Sequence, residues 1–258
     1  MIARGNRLRY YTDLIVVLTQ KELKVRYKRS FLGYLWSVAN PLALALVFYV
    51  AFKVVMRIQI ENYTLFLIAG LFPWQWFSNS VNTATMVFVG NASLIKKVNF
   101  RREALVIATV MNDMFHFVLS VPVIVIFLFF YGLRPSVWWI PGIPLLLIVQ
   151  FMMTFGIAVA VSAINLLFRD VERIVQIVTM LIFYVTPIIY AEDMVPAEYK
   201  NLLLLNPLSA LMLSWRKLFM KGIFDTGAIS VAAAYSVVIL AAGYLVFRRL
   251  RWRFAEVL

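Results

Sequence analysis

Polar and apolar positions divide the chain into long charge-free runs separated by short charged breaks. Residues 30–52 carry no charge, and Lys53 and Arg57 follow them. A second window, 62–95, is also free of charge, and the next stretch, 104–131, is interrupted only by Asp113 and His116. Residues 141–168 and 226–247 are charge-free as well, and a charged turn at 169–173 leads into an apolar run ending at Tyr190. Crossing the hydrocarbon core takes about 20 residues in a helix. The pattern therefore predicts six spans, at 30–56, 63–90, 104–131, 141–168, 171–190 and 226–247. Pro41 lies inside the first and should kink it, which neighbouring helices tolerate.

Two stretches break the pattern. In residues 7–28, Leu8, Tyr11, Ile15, Leu18 and Val25 recur near helical spacing, while Arg9, Asp13, Lys21, Glu22, Lys24 and Lys28 interrupt any apolar block. That is the pattern of a helix lying on a membrane, an amphipathic interface element. Residues 192–222 hold a short apolar part, 201–215, that contains Asn206-Pro207 and is flanked by Lys200, Arg216, Lys217 and Lys221. It is too short to cross and reads as a pair of short re-entrant or interfacial helices on the outer face, buried in protein. The second span carries Ser78, Asn79, Ser80, Asn82, Thr83 and Thr85. So many hydroxyls and amides are costly against lipid, so that face should pack inward or line a passage.

Charge fixes the expected orientation. Of the 25 Lys and Arg residues, 18 fall on one side if six spans are counted with both termini cytoplasmic. This satisfies the rule that cations stay on the cytoplasmic side; a seventh span would put Arg248, Arg249, Arg251 and Arg253 outside. The net charge of +13 thus reads as membrane-surface charge rather than as a nucleic-acid footprint. Hydrophobic residues make up 63% of the chain, well above the roughly 45–50% of soluble domains. With no cysteine and one histidine there is no disulfide framework, no thiolate metal site and little basis for a transition-metal centre. The basic N-terminus lacks the short apolar core and cleavage site of a signal peptide.

No engine is visible. None of the ten glycines precedes a lysine, so the phosphate-cradling loop of ATPases is missing. Asp113 and His116 are three residues apart on one helix face and read as an interhelical polar contact or as a proton relay. Asp170 and Glu172, flanked by Arg169 and Arg173, read as a self-neutralised turn or as the acidic metal pair of a glycan enzyme. Aromatic residues serve core packing and interfacial belts. Trp36, Phe48, Tyr49, Phe52, Phe183 and Tyr184 are also candidates for stacking against sugar rings. The cationic collar Arg26, Lys28 and Arg29, at the mouth of the first span, is a candidate for pairing with a pyrophosphate head group.

Tyr27-Lys28-Arg29-Ser30-x-Leu32-Gly33-x-x-Trp36 followed by Asn40-Pro41 resembles the opening of permease subunits of polysaccharide ABC exporters. So do Gly70-Leu71-x-Pro73-Trp74-x-x-Phe77-Ser78, Asn91-x-x-Leu94-Ile95-x-Lys97, Asn165-x-x-Phe168-Arg169-Asp170-Val171, Thr186-Pro187-Ile188-Ile189-Tyr190 and Leu205-Asn206-Pro207-Leu208, in the same order. The likeness is greatest to O-antigen permeases, with teichoic-acid and capsule permeases as siblings. It implies an all-α integral membrane fold of the ABC-2 type, a homodimer in the bacterial inner membrane, and two copies of a separate cytoplasmic ATPase. It further implies that this chain is no enzyme and binds no cofactor, ATP and Mg being held by the partner, and that the cargo is a polyprenyl-pyrophosphate-linked polysaccharide. Residues 91–103 become a coupling helix for the ATPase, with Ser93, Leu94, Lys96, Lys97, Phe100, Arg101 and Arg102 at the contact, and residues 192–222 become an extracytoplasmic gate. The chain departs from the pattern at Arg101, where relatives often carry proline.

Overall fold

The computed structural model describes residues 4–27 and 33–254, whose regular structure is all helical, with no strand among them. The helices are α1 (Arg4–Tyr27), α2 (Trp36–Phe48), α3 (Tyr63–Thr85), α4 (Val87–Gly90), α5 (Ala92–Lys97), α6 (Glu103–Phe130), α7 (Trp139–Leu167), α8 (Val171–Val185), α9 (Lys200–Leu205), α10 (Pro207–Arg216) and α11 (Thr226–Leu250). Four helical segments among the described residues are long and apolar enough to cross a membrane: Trp36–Val55, Glu103–Phe130, Trp139–Leu167 and Thr226–Arg253. The other two expected spans have different characters. α3 is long enough but polar on one side, whereas α8, at 15 residues, is about 22 Å long and falls short of a ~30 Å core.

α3 is the centre of the bundle. Leu65, Leu67, Ile68, Ala69 and Leu71 are wholly buried, and the helix packs against α6, α7, α8, α10 and α2. Pro73 lies within it, and the Pro73 carbonyl accepts a hydrogen bond from Gln150 Nε2 of α7 at 2.7 Å. Around α3, the tightest helix pair is α7 with α11. A Cβ on Gly156 would lie 2.7 Å from the Leu240 Cα, and one on Gly243 would collide with the Gly156 carbonyl. The two helices thus touch backbone to backbone, the packing that small residues permit where no hydrophobic effect drives helices together.

Two expected spans end early, each for a local reason. Residues 63–90 do not form one helix: α3 stops at Thr85, whose hydroxyl bonds back to the Asn82 carbonyl at 2.7 Å, and α4 restarts at Val87. Likewise 171–190 is helical only to Val185. Thr186 precedes Pro187 and is extended, as residues before proline are, so the chain turns away. At the other end of α2, residues 49–55 form wide π-helical turns. Lys53 closes them by donating to the Ile58 and Ile60 carbonyls at 3.3 and 3.1 Å, a cation at a helix C-terminus.

One face of the bundle, here the tail face, carries α1, α5, the start of α6 and the arginine-rich end of α11. α1 lies against α6 through Tyr11, Leu14, Ile15 and Leu18, while Val16 and Val17 are exposed. Lys21 Nζ reaches Asn91 Oδ1 at 2.9 Å, so α1 is tied to the base of α5. On the opposite face, α10 enters the bundle instead of lying over it. Trp215 Nε1 donates to Gln150 Oε1 at 2.6 Å, and Gln150 lies roughly 16 Å along α7 from its first residue. Within residues 192–222, α10 is thus a short helix buried against α3, α7 and α11.

Replacing Gly243 with alanine should push α7 and α11 apart. Overpacking costs about 1–3 kcal/mol, and here the obstacle is backbone that no rotamer change can relieve. The expected result is a lower unfolding temperature in detergent than for Ala242→Gly, a substitution of similar size at an exposed neighbour.

Candidate functional site

Past Thr64 in its first turn, the side chains of α3 and its cap left outside the core are Gln75, Ser78, Asn79, Asn82, Thr83 and Met86. Their spacing places them on one contiguous stripe, and all but the last are polar. The stripe is flanked by α2 and α8. α2 buries only Pro41 and Ala45 and so rests on the bundle along a thin line. α8 buries only Val175, Thr179 and Phe183. Between α2, α3 and α8 lies a cavity of about 420 Å³, in which Gln75, Ser78, Asn79, Asn82 and Gln176 face Phe48 and Tyr184. Phe48 stacks on Phe183 at 5.7 Å, and Phe183 in turn meets Trp74 at 5.5 Å and Tyr184 at 5.3 Å. Asn82 Nδ2 donates to the Ser78 carbonyl at 2.7 Å, whereas its buried Oδ1 has no partner among the described residues. Aromatic rings beside amides with spare hydrogen-bonding capacity suit a sugar, whose apolar face stacks while its hydroxyls bond.

A second cavity, about 360 Å³, opens on the other flank of α2. Trp36, Asn40, Asn79, Asp113 and His116 line it, and Ser80 Oγ donates to Asp113 Oδ2 at 3.0 Å. Asp113 therefore joins α3 to α6, the interhelical contact that was one of its two readings.

Opposite the tail face the groove ends on a buried cation. Arg216, 6% exposed, donates from both terminal nitrogens, to the Pro187 and Ile188 carbonyls at 2.7 Å each. Its guanidinium lies 3.6 Å from the centre of the Phe66 ring. Tyr63 Oη donates to the next carbonyl, Ile189, at 2.9 Å. The sequence places Arg216 only as a cation flanking 201–215; the structure adds that it is buried and pins α10 to the turn after α8. Next to it Lys217 pairs with Asp225 at 2.9 Å and lies 3.7 Å from Glu192. The Asp225 carboxyl accepts from the Ala228 amide and caps α11. That amide first, and then Lys217, hold its pKa below the usual 3.8.

At the tail-face end, Asn165 closes two loose ends at once. Its Nδ2 donates to the Thr85 carbonyl at 2.9 Å, where α3 stops, and its Oδ1 accepts from the Glu172 amide at 2.8 Å, where α8 starts. Asp170 and Glu172 are not neutralised by their arginine neighbours, since neither forms an ion pair among the described residues. They stand at the N-terminus of α8, where the helix dipole favours an acid. Among the described residues no cluster of three metal-ligating side chains occurs.

Residues 13–220 match the ABC-2 type transporter family. The chain belongs to that family. It is 50% identical to the O-antigen export system permease protein RfbA of Klebsiella pneumoniae over 97% of each chain. It is 36% identical to RfbA of Myxococcus xanthus over 99% of each, and 21% identical to the polysialic acid transport protein KpsM of Escherichia coli over 91% of this chain and 92% of KpsM. For an ABC-2 chain the stripe on α3 is the feature to explain, because a polar face beside transmembrane helices has to meet water, cargo or protein.

Of the predicted sugar-stacking residues, Phe48, Phe183 and Tyr184 come together at one cavity and Trp36 lines the other. Tyr49 and Phe52 are half-buried against the core and line neither. Of the coupling residues, Ser93, Lys96 and Lys97 are exposed on α5, while Leu94 and Phe100 are partly buried. Arg102 turns back to bond the Arg251 carbonyl at 3.0 Å. Lys28, Arg29 and the Arg26 side chain lie outside the described residues. Sequence reasoning missed Gln150, Gln176 and Arg216. Gln150 had a signal, as a lone amide amid thirteen apolar residues on one side and three on the other.

Arg216→Leu should orphan two buried carbonyls at about 1–3 kcal/mol each, so a loss of roughly 2–5 kcal/mol is expected in detergent unfolding. Arg216→Lys should recover only part of it, since an ammonium lacks the fork. The Asp225 cap carries a pH signature. With the folded value depressed, its contribution is complete above 3.8 and vanishes as pH falls through the folded value. Acidification should speed amide exchange in the first turn of α11, and Asp225→Asn should flatten that dependence.

Proposed function

We propose that the chain is the permease subunit of an ATP-driven exporter moving a polyprenyl-pyrophosphate-linked polysaccharide, an O antigen, across the bacterial cytoplasmic membrane. The observation that carries this reading is the amide-rich, aromatic-walled groove of α3, in a chain half identical to an O-antigen export permease. In this reading the chain is a conduit and no enzyme: it binds no cofactor, and ATP with Mg is hydrolysed by a separate ATPase present in two copies. Six spans cross the membrane, with α3 and α8 joining the four long apolar segments, the short α8 being completed by the non-helical residues 186–190, and both termini lie in the cytoplasm.

The groove is half a passage. α2 and α8 leave it open on one side, and α8 turns Ile174, Ile177, Val178, Leu181 and Val185 outward, an apolar strip suited to lipid or to a second copy. A homodimer with α2 and α8 at its centre closes the passage. The cargo's pyrophosphate pairs with Arg26, Lys28 and Arg29 at the mouth of α2, and its sugars stack on Phe48, Phe183 and Tyr184. The ATPase grips α5 through Ser93, Leu94, Lys96 and Lys97, rooted by Phe100, Arg101 and Arg102. The re-entrant element around α10 is the outer gate.

The test is O-antigen display by cells whose only permease is a variant chain. Asn79→Leu with Asn82→Leu should lower surface O antigen roughly tenfold while the complex with the ATPase stays assembled, at about 1 kcal/mol per lost hydrogen bond plus the loss of a wetted lining. Undiminished display would refute the groove as the path. Lys96→Glu with Lys97→Glu should instead release the ATPase on purification, and the purified chain alone should hydrolyse no ATP.

A further inference from the structure

A cavity of about 980 Å³ lies on the tail face, well away from the groove, between α1, the loop preceding α6 and the end of α11. Its charged lining is Arg101, Arg102, Arg251 and the single carboxylate Glu103. None of the three arginines forms an ion pair among the described residues. Two of them are held in place by contacts that leave the charge uncompensated. Arg101 lies 5.3 Å over the Tyr11 ring, and Arg102 lies 5.3 Å over the Phe254 ring while donating to the Arg251 carbonyl. Several cations converging on one cavity with one acid among them form a site for an anion, and guanidinium groups match phosphate oxygens in particular.

The depth and shape of the cavity narrow the choice of anion. It lies where an apolar helix meets its arginine-rich end, the level at which head groups stand, and Trp252 is 61% exposed on its rim as interfacial aromatics are. Below Arg251 the same face of α11 carries Tyr244, Ala241 and Val237, at helical spacing, and the last two are exposed. A cationic pocket leading into an exposed apolar track has the two-part chemistry of a lipid: phosphate above, acyl chain below. α5 bears its own exposed lysines and does not line this cavity.

We propose that the cavity is a binding site for an anionic membrane phospholipid, whose phosphate is held by Arg101, Arg102 and Arg251 and whose acyl chain lies along α11. The lipid then bridges α1 to α11, two helices joined here mainly through the root of α6.

Native mass spectrometry of the full chain in detergent, titrated with phosphatidylglycerol or phosphatidylcholine, tests the proposal. The wild type should retain phosphatidylglycerol in clear preference. Arg101→Gln with Arg251→Gln should weaken that binding about thirtyfold, which is ~2 kcal/mol, one for each charge removed. Arg248→Gln with Arg249→Gln removes the same charge from the same helix end outside the cavity and should leave phosphatidylglycerol bound. Equal losses in both pairs would reduce the site to a general basic patch and overturn the proposal, as would equal retention of the two lipids. Displacement by a stoichiometric polyprenyl diphosphate would assign the pocket to cargo instead. Unchanged lipid binding in the first pair, with the ATPase lost from the purified complex, would assign it to protein docking. A lipid-dependent result leaves the passage along α3 untouched and moves Arg101 and Arg102 from the proposed ATPase contact to the lipid.

Discussion

The structure depends on how an interrupted backbone is satisfied inside an apolar bundle. Beyond Val185 the chain leaves the helix, so the carbonyls of Pro187, Ile188 and Ile189 lose the ladder that would have paired them. Unpaired polar groups in such surroundings cost several kcal/mol each, and irregular backbone at membrane depth survives only where protein supplies partners. Arg216 supplies two bonds and Tyr63 the third. The guanidinium is itself expensive to bury, and its cost is offset by the Phe66 face and by donors that match the carbonyls. α10 is therefore drawn into the bundle by chemistry and not merely by its apolar surface. Gln150 completes the arrangement by joining Trp215 on α10 to the proline-bearing turn of α3.

The same logic explains why α3 is buried on one side and polar on the other. The core side is saturated with Leu, Ile and Ala, and its few polar atoms are paired, as where Trp76 Nε1 donates to the Val110 carbonyl. The other side keeps five polar residues and meets two helices that barely cover it. A helix built only for stability would carry apolar residues there, where lipid is the alternative neighbour. The stripe is the face that the proposed passage would use, and α2 and α8 bury few residues beside it.

Much of this was legible in the sequence. Charge-free runs locate the helices because lipid tolerates no charge, and the hydroxyls and amides of 78–85 mark a face that avoids lipid. The shortness of 201–215 sets it apart from the long apolar helices, and it folds as the short α9 and α10. Helix ends were less legible, since they are set by tertiary partners: Thr85 is a terminus because Asn165, eighty residues later, takes its carbonyl. Arg216 misleads for the same reason. A cation beside Lys217 and Lys221 looks like surface charge until the carbonyls of 187 and 188 are known to face it. The aromatic candidates divide likewise. Phe48 and Tyr49 are adjacent, so a helix sends them about 100° apart, and only one reaches the groove.

Asn165 also bears on how force at one face reaches the groove. α5 continues from α3 through the short α4, so a push on α5 acts on the end of α3 directly. The same end is bonded through Asn165 to the first turn of α8, and Asn91, at the base of α5, is bonded to α1. α3 and α8 are thus tied to each other at one end of α4, and α1 is tied to the chain at the other, where α5 begins. α7, which carries Asn165, is fixed to α11 by backbone contact and has little freedom to yield. If the ATPase pushes on α5 as proposed, α2 and α8, which wall the polar stripe and bury only two and three residues, are better placed to yield than α7.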